Sequence, residues 1–165
     1  MRFEAHPLGV EAVAYSPLGD TFASGGFDNN AALWNASDGQ LLYQFVEHFA
    51  EVESVAFSPD GRGLIVASGD ESLSLWDVNS GELLRKFNGH SHQVEDVVFS
   101  PDGELIISTS QDNTVIIWQV ITGVPIVTLT GHTNRVDSVD ISSDSRLIVS
   151  GAADSTIRVW GIPNE

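Results

Sequence analysis

The chain has 165 residues, 42% of them hydrophobic, which is enough for one domain with a sizeable buried core. It carries 23 acidic against 7 basic side chains, a formal charge of −16 with Lys86 as the single lysine, and such a surface repels phosphate backbones and anionic lipid. Nucleic-acid and membrane-surface roles are therefore not expected. With no cysteine, no apolar run long enough to cross a bilayer and no export signal at the N-terminus, disulfides and thiolate metal sites drop out and a cytoplasmic location is expected.

The first element is short. Phe3 stands in register with Phe45, Phe87 and Leu129, so the segment from Met1 to Glu4 reads as the end of a strand whose other copies close later units. From His6 onward the chain repeats. His6, His48, His90 and His132 are 42 residues apart, and Trp34, Trp76, Trp118 and Trp160 keep the same interval, as do Asp28, Asp70, Asp112 and Asp154. Three residue types locked to one period over four copies define a four-unit array.

The third unit shows the elements most plainly. Val94 to Phe99 is an apolar-rich strand that runs into Ser100-Pro101-Asp102-Gly103, where proline presets φ and glycine takes a left-handed turn position. Glu104 to Ser110 is a β-branched second strand, Gln111-Asp112-Asn113-Thr114 a turn, Val115 to Trp118 a third strand and Val124 to Thr130 a fourth. The fourth unit has Ser142-Ser143-Asp144-Ser145 in place of the proline-glycine turn, which predicts a looser hairpin. Its end, Gly161 to Glu165, stops short of a fourth strand, so the Met1–Glu4 strand is expected to finish a last unit.

Four apolar columns mark the core: Val10, Val52, Val94 and Val136; Val13, Val55, Val97 and Val139; Tyr15, Phe57, Phe99 and Ile141; and Leu33, Leu75, Ile117 and Val159. A single unit is too thin to bury both faces of its sheet. Stacking unit on unit buries them, at about 25 cal/mol per Å² of apolar surface, so stability is mostly a property of the interfaces.

With its Gly89-His90, Phe99-Ser100-Pro101-Asp102-Gly103, Asp112 and Trp118 in order, and Phe57-Ser58-Pro59-Asp60-Gly61, Asp70 and Trp76-Asp77 before them, the sequence resembles the WD-repeat β-propeller family over nearly its whole length. The resemblance implies an all-β fold of four-stranded antiparallel blades, a single unit over 1–165. Its blades would lie near 6–47, 48–89, 90–131 and 132–165, with 1–5 as a closing strand. Two chains closing one eight-bladed ring, a segment of a longer array and a strained four-bladed ring all fit it.

The recurring sets His6/Ser24/Asp28, His90/Ser108/Asp112 and His132/Ser150/Asp154 imitate a catalytic triad. In the family that the chain resembles, the matching residues form a buried network reaching the tryptophan N–H, and repeated polar burial requires such mutual satisfaction. No catalytic residue, cofactor or metal is therefore expected; the pair His90 and His92 lacks a second ligand cluster. The second unit has Val66 where serine is expected, which predicts that His48, Asp70 and Trp76 lack a hydroxyl link and that this blade is the least rigid.

Five residues after each repeat histidine stands an acid: Glu11, Glu53, Glu95 and Asp137. By the resemblance this column lies near the channel mouth, and Asp96 and Asp140 are expected to add to its field. The expected function is a non-enzymatic protein-interaction scaffold whose acidic channel rim binds a basic protein or peptide segment. The alternative is a structural or oligomerising repeat module with no ligand of its own.

Overall fold

Turn chemistry sets the strand lengths. In the computed structural model, which describes residues 2–161, Gly61 and Gly103 take φ values of 72° and 75° and close the Ser-Pro-Asp-Gly turns. Their amides donate to Ser58 O and Ser100 O at 2.9 and 2.8 Å. The fourth unit keeps the same hairpin without glycine or proline. Ser145 adopts φ 58°, its N–H donates to Ser142 O at 2.9 Å, and Ser142 Oγ accepts from Leu147 N at 2.9 Å. The hairpin is therefore not loosened in geometry; the cost is a non-glycine residue in the left-handed region, about 1 kcal/mol.

Among the described residues fifteen strands follow, all antiparallel and in chain order. The first sheet holds β1 (Val10–Tyr15), β2 (Thr21–Gly26), β3 (Ala31–Asn35) and β4 (Leu41–Phe45), and the second β5 (Val52–Phe57), β6 (Gly63–Ser68), β7 (Ser72–Asp77) and β8 (Leu83–Asn88). The third sheet holds β9 (Val94–Phe99), β10 (Leu105–Ser110), β11 (Thr114–Gln119) and β12 (Pro125–Thr130), within one or two residues of the strands expected from sequence. The fourth has three strands among the described residues, β13 (Val136–Ile141), β14 (Leu147–Ala152) and β15 (Ile157–Gly161). Met1 and residues 162–165, which carried part of the expectation about ring closure, lie outside the described residues. Residues 2–6 form no strand in the isolated chain.

Each sheet is a blade with a leading face toward the blade before it and a trailing face toward the blade after it. Directly paired residues of antiparallel strands share a face, so Val55, Val66 and Ser74 lie together on blade 2, as do Ile65 and Leu75 behind them. Three cores form between blades. Ala23, Leu33 and Phe45 of blade 1 meet Val52, Val55, Leu64 and Trp76 of blade 2. Ile65, Leu73 and Phe87 of blade 2 meet Val94, Val97, Ile106 and Trp118 of blade 3. Ile107, Val115 and Ile117 of blade 3 meet Val136, Val139 and Ile148 of blade 4. No blade covers blade 1's leading face or blade 4's trailing face among the described residues, although the Phe3 ring packs on Trp34 at the outer part of the former. Val13 is 72% exposed there, and its column mate Val97 only 1%.

Candidate functional site

The buried polar network is built in all four blades. In blade 3 the Trp118 indole N–H donates to Ser108 Oγ at 2.8 Å, Ser108 Oγ lies 2.7 Å from His90 Nε2, and His90 Nδ1 lies 2.8 Å from Asp112. A neutral imidazole protonated on Nδ1 completes one directed chain, Trp to Ser to His to Asp. Blade 1 matches it through Trp34, Ser24, His6 and Asp28, and blade 4 through Trp160, Ser150, His132 and Asp154.

Blade 2 corrects the expectation drawn from Val66. Ser74 accepts from the Trp76 N–H at 2.7 Å and sits 2.6 Å from His48 Nε2, while His48 Nδ1 is 2.9 Å from Asp70. Val66 and Ser74 are directly paired across β6 and β7, so the hydroxyl has crossed the ladder to the neighbouring strand on the same face. The network is intact, and its absence cannot single out blade 2 as the least rigid.

Asp70, Asp112 and Asp154 anchor their chains as anions. Burial opposes the charge on Asp70 and Asp112, but hydrogen bonds outweigh it and hold both well below the usual carboxylate range. They come from His48, Ser72 and Phe49 N to Asp70, and from His90, Thr114 and Ser91 N to Asp112. Asp154 is held low chiefly by Thr156 Oγ1, then by Thr133 N. The serines are buried, with the oxygen shared between an indole and an imidazole, so no substrate reaches them. His90 has both nitrogens engaged, which leaves His92 without a ligating neighbour in His90.

The acid column occupies a particular backbone position. On β1 and β2, Val10 pairs with Gly26 and Ala12 with Gly25, leaving Glu11 outside the ladder. The same one-residue shift leaves out Glu53, Glu95 and Asp137 in the other innermost strands. All four predicted residues are β-bulge residues. A bulge bends the strand and re-aims the extra side chain, and bulges concentrate beside binding sites.

Around Glu53 the blades converge. Gln93 Nε2 donates to Glu53 Oε1 and, at 3.0 Å, to Glu51 Oε1. Gln111 Nε2 donates to Gln93 Oε1 at 2.8 Å and to Glu95 Oε1 at 2.6 Å. Burial, then the charges of Glu95, Glu51 and Glu11, push the Glu53 carboxyl up from 4.5 to about 7 against the lowering effect of Gln93. Asp137 has its own cation, with Arg135 Nε 2.8 Å away. Sequence reasoning missed Glu51, Gln93 and Gln111. The column Gly9, Glu51, Gln93 and Arg135 was its visible trace.

Asp96 is also tied into the frame. Its carboxylate accepts from Ser54 Oγ at 2.8 Å, from Val97 N at 2.8 Å and from Val139 N at 3.0 Å, tying blades 2, 3 and 4 together. Asp140 accepts from Ile141 N at 2.8 Å and stands on the open trailing face of blade 4, away from the bulges.

Comparison with known proteins agrees with this architecture. The family described as "WD domain, G-beta repeat" matches residues 1–35, 39–77, 81–119 and 123–161. A 48-residue segment is 38% identical to Periodic tryptophan protein 2 homolog of Dictyostelium discoideum; the match covers 29% of this chain and 5% of that much longer protein.

Proposed function

Because the chain belongs to the WD-repeat family, with four repeats matched between residues 1 and 161, we propose that it is a non-enzymatic scaffold that holds a basic segment of another protein over Glu11, Glu53, Glu95 and Asp137. Family membership carries the coarser part, a protein-interaction role. The finer part rests on one observation: the acid in every blade is the bulge residue of the innermost strand. A carboxyl pushed up to about 7 by burial and three neighbouring acids marks a local excess of negative charge that a guanidinium or ammonium group relieves. Arg135 on Asp137 is the chain's own instance of that contact.

The test is fluorescence anisotropy with a labelled peptide of alternating arginine and glycine, at low and at physiological salt. Changing the four bulge acids to their amides should weaken binding at least tenfold. A control carrying the same charge change at exposed Asp20, Asp38, Glu82 and Glu104 should bind as the parent does. Equal losses in both variants would reduce the effect to bulk charge and remove the site.

A second reading, an oligomerising repeat module, is favoured by a separate observation. The apolar leading face of blade 1 and trailing face of blade 4 are open, with Tyr15 69% and Val159 66% exposed.

A further inference from the structure

We propose that two copies of this chain stack head to tail at both ends, the leading face of blade 1 in each copy covering the trailing face of blade 4 in the other, to close an eight-bladed ring. This deepens the oligomerising reading and is independent of the acidic bulges.

The chain contains the template for the contact three times. At each internal interface the same columns meet, and the two open faces are the unused halves of those columns. Ile65, Leu73 and Leu75 on the trailing face of blade 2 are at most 6% exposed, whereas their mates Val149, Ile157 and Val159 on blade 4 are 39%, 75% and 66% exposed. On the leading side Val52, Val94 and Val136 are fully buried, and Val10 is 47% exposed.

Two details fit a copy of this chain rather than an arbitrary apolar cover. The first is polar. In each internal core an inner-strand residue of one blade packs in the same cluster as a bulky residue of the next: Ala14 with Phe57, Ala56 with Phe99, Val98 with Ile141. The next members of these two columns are Asp140 on blade 4 and Tyr15 on blade 1. They are the polar members of otherwise apolar columns, and they stand at the two open ends. Stacked as the internal blades are, the Tyr15 hydroxyl is placed to donate to the Asp140 carboxylate, which satisfies both in one step.

The second detail is steric. A Cβ on Gly25 would lie 2.3 Å from Val52 Cγ1, so a small residue there lets the next blade approach. The same position on blade 4 is Gly151, around which nothing lies within 4 Å. Val10 of a second copy is the column mate of Val52 and fits over it.

The N-terminal segment already sits where this arrangement needs it. The Phe3 ring is 4.9 Å from Trp34 at 42°, and Phe45, at the end of β4, is 4.9 Å from Trp76 at 41°. Phe3 thus occupies, against blade 1, the place that the outermost strand of a preceding blade would fill. Leu73 pairs with Phe87, and Val115 with Leu129. In the ring, Phe3 of one copy therefore falls opposite Ile157 of the other and supplies the fourth strand of that blade along β15. A head-to-tail contact makes a closed ring only at an integer number of copies. With about four to eight blades in such rings, two copies of the four described blades close one and three overshoot.

The chain has no cysteine, which makes cross-linking a clean test. The double variant Val10→Cys, Gly151→Cys should oxidise to a covalent dimer and nothing larger, because each ring holds two such bonds. Light scattering of the parent should give twice the chain mass across a concentration series. Gly151→Phe, whose added ring meets open space in the isolated chain, should give the single mass with unchanged circular dichroism. A disulfide within one chain, a ladder of higher species, or a parent of single mass would each overturn the closed pair. If Gly151→Phe misfolds, the cross-linking pattern alone decides.

Discussion

Blades 2 and 3 share their sequence columns with blades 1 and 4 and yet have a different interior. Trp118 is fully buried between Phe87 and its own sheet, and Trp160, which donates to the matching serine of its own blade, is only half-buried. The residues are alike; the neighbours are not. Both tryptophans face the blade before their own, but β11 is paired on both sides whereas β15 is an edge strand among the described residues, so a side chain's worth follows its place in sheet and stack more than its identity.

The sharpest way to break that comparison is to remove the same residue in both regions. Trp118→Ala should lower stability by about 3–5 kcal/mol, the usual range for emptying a large buried site, and Trp160→Ala by about 2 kcal/mol. Urea midpoints at one fixed protein concentration measure both; equal losses would show that an outer strand beside the tryptophan's own does not set the scale.

A smaller effect tests the exchanged hydroxyl in blade 2. Ser74→Ala strands His48 Nε2 and the Trp76 N–H, a loss of about 2 kcal/mol. Adding Val66→Ser should recover most of it, because Ser24, Ser108 and Ser150 serve the other blades from that position. A double variant no better than the single would contradict the exchange.

The smallest effect concerns Glu53, whose raised carboxyl makes the native state bind a proton that the unfolded chain releases between pH 4.5 and about 7. Its contribution is full below the lower value and lost as pH rises through the upper one. Glu53→Gln should therefore stabilise by about 1 kcal/mol at pH 8, after allowance for solvent screening, with the gain gone near pH 4.5. A pH-independent gain would assign the effect to something other than charge.

Much of this was legible in the sequence. The period, the turns and the apolar columns gave strands within a residue or two because each rests on local chemistry: proline and glycine in turns, β-branched residues between them. The serine exchange was not legible, since seeing that Ser74 replaces a hydroxyl at Val66 requires the register of β6 against β7. Nor were the bulges read, although a signal existed. Val52 and Val55 are three apart and both buried on one face, which a strand of period two allows only with one residue inserted. Asp96 looked like one more rim acid because sequence does not show the amide of Val139 arriving from the next blade.

The bulges separate two jobs that most strands combine. Residues 11, 53, 95 and 137 stand outside the pairing that holds their sheets, so exchanging their side chains leaves register and hydrogen-bond ladders as they are. Selection, or a protein engineer, can rewrite this surface one letter per repeat and retune what it recognises while the frame beneath stays the same.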